Sequence, residues 1–170
     1  ADGREVAVKV MDQEVVPEHR ARREMQLLQE LAEGEGRGRA HVIQYRCLEE
    51  QAAEEGGLGA KVLLGMELCE CSLHDVVSVQ QQRIPQGHKV RIARELCEAV
   101  AFLHEHHILH RDIRPKNILF KQGGFEGTVK LTDFGLSRGL DASGDLDQSV
   151  TVSTSQEGAE IGSFGYYPPE

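Results

Sequence analysis

The chain has 170 residues, enough for one domain with a genuine core, and its 28 acidic residues against 19 basic ones set a formal charge of -9. That balance speaks against a protein that tracks nucleic-acid phosphates or an anionic membrane surface, since such partners require a surplus of lysine and arginine. The four cysteines, Cys47, Cys69, Cys71 and Cys97, lack paired CxxC spacing, and the longest apolar run, around KVLLGMEL, falls far short of the roughly 20 residues of a membrane helix, so the expectation is a soluble protein with reduced thiols in a cytoplasmic setting.

REVAVKVM (4–11) alternates and is rich in valine, which predicts a strand carrying Lys9. Pro17 opens a helix expected to reach about Ala32, in which Glu24, Leu27, Leu28 and Leu31 follow the i, i+3, i+4, i+7 rule and place Glu24 on or beside the buried face. GEGRGRA (34–40) breaks this helix. VIQYRCL (42–48) and AKVLLGMEL (60–68) read as two strands of one sheet, separated by EEQAAEEGGLG (49–59), a solvated insertion. Ser72, with Asp75 three positions on, has capping-box spacing before a short helix. Gln86 to His106 is predicted as the longest helix, burying Val90, Ala93, Leu96, Cys97, Val100 and His104 on one stripe.

HILHRDIRPKN (107–117) follows. A helix through Pro115 would lose a hydrogen bond and clash with its own earlier turn, so the stretch reads as a loop, stiffened because Pro115 pushes Arg114 towards extended geometry. NILF, the turn region GGFEG and TVKLT then predict a short hairpin that ends at Asp133-Phe134-Gly135. From Ser137 to Ile161 the chain is rich in Ser, Thr, Asp and Gly without an apolar period, which reads as mobile; there is no internal repeat.

Asp112, Asn117 and Asp133 all fall at the ends of elements. Two oxygen donors, Asn117 and Asp133, suit a hard cation such as magnesium, which draws the rest of its shell from water and phosphate. Asp112 is left to accept the proton of an attacking hydroxyl, a contribution of about 10²–10⁴-fold in rate when well placed. Lys9 supplies a compact positive charge for phosphate oxygens, and Glu24 can hold it by an ion pair. Together these make a phosphoryl-transfer site. HEHHILH (104–110) offers a zinc reading, but His104 lies on the predicted core stripe, and Cys69 and Cys71 read as packing residues rather than ligands.

VAVK (6–9), Glu24, HRDIRPKN (110–117), DFG (133–135) and GSFGYYPPE (162–170) occur in the order seen in eukaryotic protein kinases of the serine/threonine type, and the resemblance covers nearly the whole chain. It implies a partial two-lobed α+β fold, a small antiparallel sheet with one helix followed by a mainly helical lobe. Residues 1–68 would be a partial N-lobe and 69–170 the hinge and partial C-lobe to the end of the activation segment. It further implies ATP and Mg2+, with Lys9 on the α/β-phosphates and paired to Glu24, Asp112 as catalytic base with Arg114 beside it, and Asn117 and Asp133 on the metal. Ala7 and Leu119 match the positions that sandwich adenine, Glu67-Leu68-Cys69 the hinge, and Met66 the gatekeeper. Leu28, Tyr45, His110 and Phe134 fall where the family stacks its regulatory spine.

Arg111 beside Asp112 marks the type switched on by phosphorylation, for which SVTVSTS (149–155) offers hydroxyls, and Ser163 resembles the serine/threonine version of the loop. REMQLLQEL, VIQYRCLEE and MELCECSLHDVV are similar to the inositol-requiring kinase-endoribonucleases of the unfolded-protein response, which implies the cytosolic part of an endoplasmic-reticulum membrane protein. The family's glycine-rich loop and later helices are not in this sequence, so a fragment truncated at both ends is expected. Arg114 stands where lysine is usual and PPE replaces APE. The expected partners are a protein substrate or a second copy of the chain, without direct nucleic-acid or membrane contact. The rival readings are a nucleotide-binding switch that controls dimerisation and an attached ribonuclease, and an inactive fragment.

Overall fold

The structure is a computed structural model and describes residues 5–12, 18–51 and 60–139, with side chains of the first helix from Arg22 onward. The readings placed on Pro17, on 52–59, on SVTVSTS and on GSFGYYPPE lie outside the described residues.

The alternation in the first strand, β1 (Val6–Asp12), turns Ala7, Lys9 and Met11 inward and leaves Val6, Val8 and Val10 exposed. The helix α1 (Glu18–Glu33) lays Glu24, Leu27, Leu28 and Leu31 against the sheet, all four buried as their spacing predicts. Strands β2 (Tyr45–Gln51) and β3 (Lys61–Glu67) pair antiparallel with a bulge between Tyr45 and Cys47, and β3 is central in the order β1-β3-β2. Its Val62 and Leu64 are fully buried, each burial contributing about 1.5–3 kcal/mol. The predicted second strand starts late: Val42, Ile43 and Gln44 form an extended link, in which Ile43 donates its N–H to Leu131 O and Gln44 O accepts from Glu67 N–H. Before the link, Gly38 lies against the next helix so closely that a Cβ would collide with the Glu98 carbonyl.

Below the sheet, β4 (Cys71–Ser72) leads into a single π-type turn at Asp75–Val79. The predicted capping box is formed: Ser72 N–H donates to Asp75 Oδ2 at 2.8 Å and Asp75 N–H to Ser72 Oγ at 3.1 Å. The long helix α2 (Gln86–Glu105) has the expected length but a different buried face. Ile92, Glu95, Ala99, Phe102 and Leu103 are buried, Leu96 and Val100 partly so, whereas Val90, Ala93, Cys97 and His104 are exposed. The helix carries apolar residues on more than one face, and the inner one is chosen by Phe102, Leu103 and Ala99, which join the core under the sheet.

Strand β5 (Ile108–Leu109) precedes the loop. The predicted hairpin is β6 (Ile118–Phe120) and β7 (Val129–Leu131), antiparallel, turned by a 3-10 segment at Gly124–Glu126, with β4 on the far side of β6. Ser137 to Gly139 departs from the mobile reading: Ser137 is buried, its Oγ donates to His110 O at 3.2 Å, and β8 (Arg138–Gly139) pairs with β5. One core joins α1, the sheet, α2 and Phe134; a second gathers Val76, Ile84, Ile92, Ile118, Phe120 and Val129. β7 contributes Leu131 to the first and Val129 to the second.

Candidate active site

A small antiparallel sheet with one helix stands over a lower unit led by α2, and a cleft of about 590 Å³ opens between them. Its lining includes Ala7 from β1, Met66 and Glu67 at the end of β3, Cys69 beyond it, Leu119 from β6 and Thr132. Five residues singled out in sequence for a nucleotide base, Ala7, Met66, Glu67, Cys69 and Leu119, thus share one cavity. Ala7 and Met66 are register partners across β1 and β3, which explains how residues 59 positions apart come to line the same wall. In the segment between β3 and β4, the N–H of Glu67 is used by Gln44 O and that of Glu70 by Phe120 O, and these two bonds flank Leu68 and Cys69. Burial, with the Glu67 carboxylate nearby, pushes the Cys69 thiol up to about 11, so it stays protonated.

Deeper in, three charged residues meet. Lys9 Nζ donates to Glu24 Oε1 at 2.7 Å and Oε2 at 2.9 Å, and to Asp133 Oδ1 at 2.9 Å. β1 carries the lysine inward, α1 presents the buried Glu24, and Asp133 follows β7. Burial works against the Lys9 charge, but Glu24 and then Asp133 outweigh it and hold the ammonium above its usual value. Burial alone would likewise raise Asp133; Lys9 and the backbone N–H of Gly135 keep its carboxyl below the usual range.

The third part is the loop after β5. Arg114 is extended at φ -149 and ψ 161, as the following proline requires, and Pro115–Asn117 forms a single 3-10 turn closed by Asn117 N–H to Arg114 O. Asn117 Nδ2 donates to Asp112 O at 2.9 Å and to Asp112 Oδ2 at 2.8 Å, so the amide orients the carboxylate and keeps its own oxygen as an acceptor. His110 ties this loop to Asp133: its Nε2 meets Thr132 O at 3.0 Å while Asp112 N–H reaches its Nδ1 at 3.2 Å. One neutral tautomer, protonated on Nε2, satisfies both contacts, and burial favours it by lowering the His110 pKa. The ring stands edge-on to Phe134 at 5.0 Å. Leu28, His110 and Phe134 are all buried and Tyr45 packs against the same core as Leu28 and Phe134. Arg111 and Asp133 both have φ 69, backbone strain for non-glycine residues that clusters at functional sites.

The donor set fits the cation inferred from sequence. The Asn117 amide oxygen and the Asp133 carboxylate are hard oxygen donors, and Asp133 stays ionised and about half exposed. Among the described residues no group of three His, Cys, Asp or Glu is arranged to hold a metal, and His106 Nδ1 is spent on Phe102 O. No helix among them is long and apolar enough to cross a membrane.

A charge cluster that sequence reasoning missed centres on Glu67, one of the residues lining the cleft. Glu67, singled out only for its main chain, buries its carboxylate, with Oε1 2.7 Å from Lys130 Nζ and 3.0 Å from the donating Gln44 N–H. Oε2 lies 2.8 Å from Lys121 Nζ at an angle outside hydrogen-bond geometry. The signal in the sequence is slight: a lysine flanked by Val129 and Leu131 inside a strand.

The protein kinase domain family model matches residues 1–170. The serine/threonine-protein kinase/endoribonuclease ire-1 of Caenorhabditis elegans is 34% identical over 142 residues, which is 81% of this chain and 13% of that protein. The serine/threonine-protein kinase PknB of Mycolicibacterium smegmatis is 35% identical over 99 residues, 58% of this chain and 14% of that protein. The chain thus spans well under a fifth of these relatives. The crystal structure of the yeast RNA Pol II CTD kinase CTDK-1 complex contains a chain that superposes with a TM-score of 0.62 at 24% identity, covering 81% of this chain and 40% of that one, a likeness of fold alone. Since the match runs the full length, the chain belongs to the protein kinase domain family.

Proposed function

We propose that the protein transfers the γ-phosphoryl group of ATP to serine or threonine hydroxyls of proteins, autophosphorylation included. The observation that carries this reading is the bridge from Lys9 to Glu24 and Asp133, which draws β1, α1 and the end of β7 to one point beside a cleft of nucleotide size. Residues 1–68 then act as the upper lobe and 69–170 as the hinge and lower lobe.

In this mechanism Ala7 and Leu119 flank adenine, the main chain of Glu67 and Cys69 meets its polar edge, and Met66 limits the depth of the pocket. Lys9, held by Glu24, bears on phosphate oxygens. Asp112, oriented by Asn117, accepts the proton of the attacking hydroxyl as that oxygen bonds to phosphorus and the bond to the leaving nucleotide oxygen breaks. Arg114 lies two residues beyond Asp112 and supports the transferred charge. When bound, magnesium neutralises phosphate charge, with Asn117 and Asp133 as its protein donors.

The test compares phosphate incorporation from labelled ATP by the full-length protein and its Asp112→Asn variant. A loss of about 10²–10⁴-fold with nucleotide binding retained is expected for removal of a well-placed base. Equal incorporation by both would remove Asp112 from the reaction. Nucleotide binding without incorporation by the wild type would favour the second reading, a nucleotide-operated switch, which the similarity to a kinase/endoribonuclease over most of this chain supports.

A further inference from the structure

The Glu67 carboxylate and the Lys130 ammonium are 3–4% exposed and lie 2.7 Å apart, although neither side chain takes part in the chemistry proposed above. Burying two charges is expensive, and a buried pair is often no more stabilising than apolar residues of the same volume, so stability alone accounts poorly for it. Its placement is more informative. Glu67 ends β3 at the base-binding edge of the cleft, and Lys130 sits on β7 three residues before Asp133 at the phosphate end. The Val42–Gln44 link bonds to both strands. Val42 O lies 3.4 Å from Lys130 Nζ, Ile43 N–H donates to Leu131 O, and Gln44 exchanges hydrogen bonds with Glu67 through both its N–H and its O. Lys121, next to β6, meets the other Glu67 oxygen at 2.8 Å. Burial alone would raise the Glu67 pKa, but Lys121 and Lys130 prevail and keep it ionised.

We propose that the Glu67–Lys130 pair, backed by Lys121, is a positioning clamp that fixes the spacing between the base-binding segment Glu67–Cys69 and Asp133, so that a nucleotide is gripped at both ends at once. The proposal rests on the nucleotide-binding reading above. A ligand that spans both ends benefits from the fixed spacing, because its second contact forms without a further search; a ligand that occupies one end does not.

The experiment uses the full-length protein with Lys121→Met, which weakens the clamp from a residue outside the base-binding segment. Melting without nucleotide, calorimetric binding of ATP with magnesium, and calorimetric binding of adenosine are compared with wild type. The clamp predicts near-wild-type melting, unchanged adenosine affinity and ATP binding weakened about threefold. Unchanged ATP affinity, or equal weakening of ATP and adenosine, would overturn it. Failure of the wild type to bind ATP would instead defeat the functional reading beneath it. Lys121 is 42% exposed, and its removal leaves Glu67 paired with Lys130.

Discussion

Two lysine–carboxylate clusters are built from the same chemistry and set in different surroundings. In one, the front cluster, Lys9 is 32% exposed and Asp133 45%; in the other, the rear cluster, Lys130 and Glu67 are nearly sealed from water. The front cluster holds one lysine between two carboxylates, two of the three side chains being open to solvent. The rear cluster holds one carboxylate between two lysines. Burial therefore separates a set of charges that water can reach from one that it cannot.

The largest effect should come from breaking only half of the rear pair. Lys130→Met leaves Glu67 buried and short of its closest partner, with an expected loss of about 3–5 kcal/mol in urea unfolding; a loss no larger than that of a surface variant would erase the contrast. Acid sharpens the same point. Glu67 and Asp133 both have folded pKa values below their unfolded ones, so each contributes stability that is present above about pH 4 and lost as pH falls through the folded value. Glu67→Gln should flatten the acid limb of stability against pH. Lys9→Met should cost less, about 1–3 kcal/mol, because the buried Glu24 loses a partner while Asp133 can turn to water. The smallest change belongs to Arg22→Ala, which removes an ion pair with Glu50 between two half-exposed side chains at 2.9 Å and should shift stability by about 0.2–1 kcal/mol.

What was legible in the sequence follows from which forces are local. Alternation and helical spacing located β1, α1, β3 and α2, and turn chemistry located the hairpin, because each depends on neighbours along the chain. The buried face of α2 was misjudged because Val90, Ala93 and Cys97 offer a second apolar stripe, and only Gly38, β7 and the sheet decide which one is covered. β8 escaped notice for a related reason: two residues without apolar alternation become a strand solely through main-chain pairing with β5. The ordered motifs suggested that Lys9, Glu24 and Asp133 share a site, and the structure brings them within hydrogen-bond distance. Nothing local links Glu67 to a lysine 63 positions later; that pairing exists only once the Val42–Gln44 link is bonded to both strands.

The most direct test of the account separates the two ends of the cleft with one substitution, by measuring ATP and adenosine binding to Lys9→Met in the full-length protein. If Lys9 holds phosphates while Ala7, Leu119 and the main chain of Glu67–Cys69 hold the base, ATP with magnesium should bind about tenfold or more weakly and adenosine as in the wild type. Equal affinities of wild type and variant for ATP would show that the lysine at the centre of the front cluster does not meet the nucleotide.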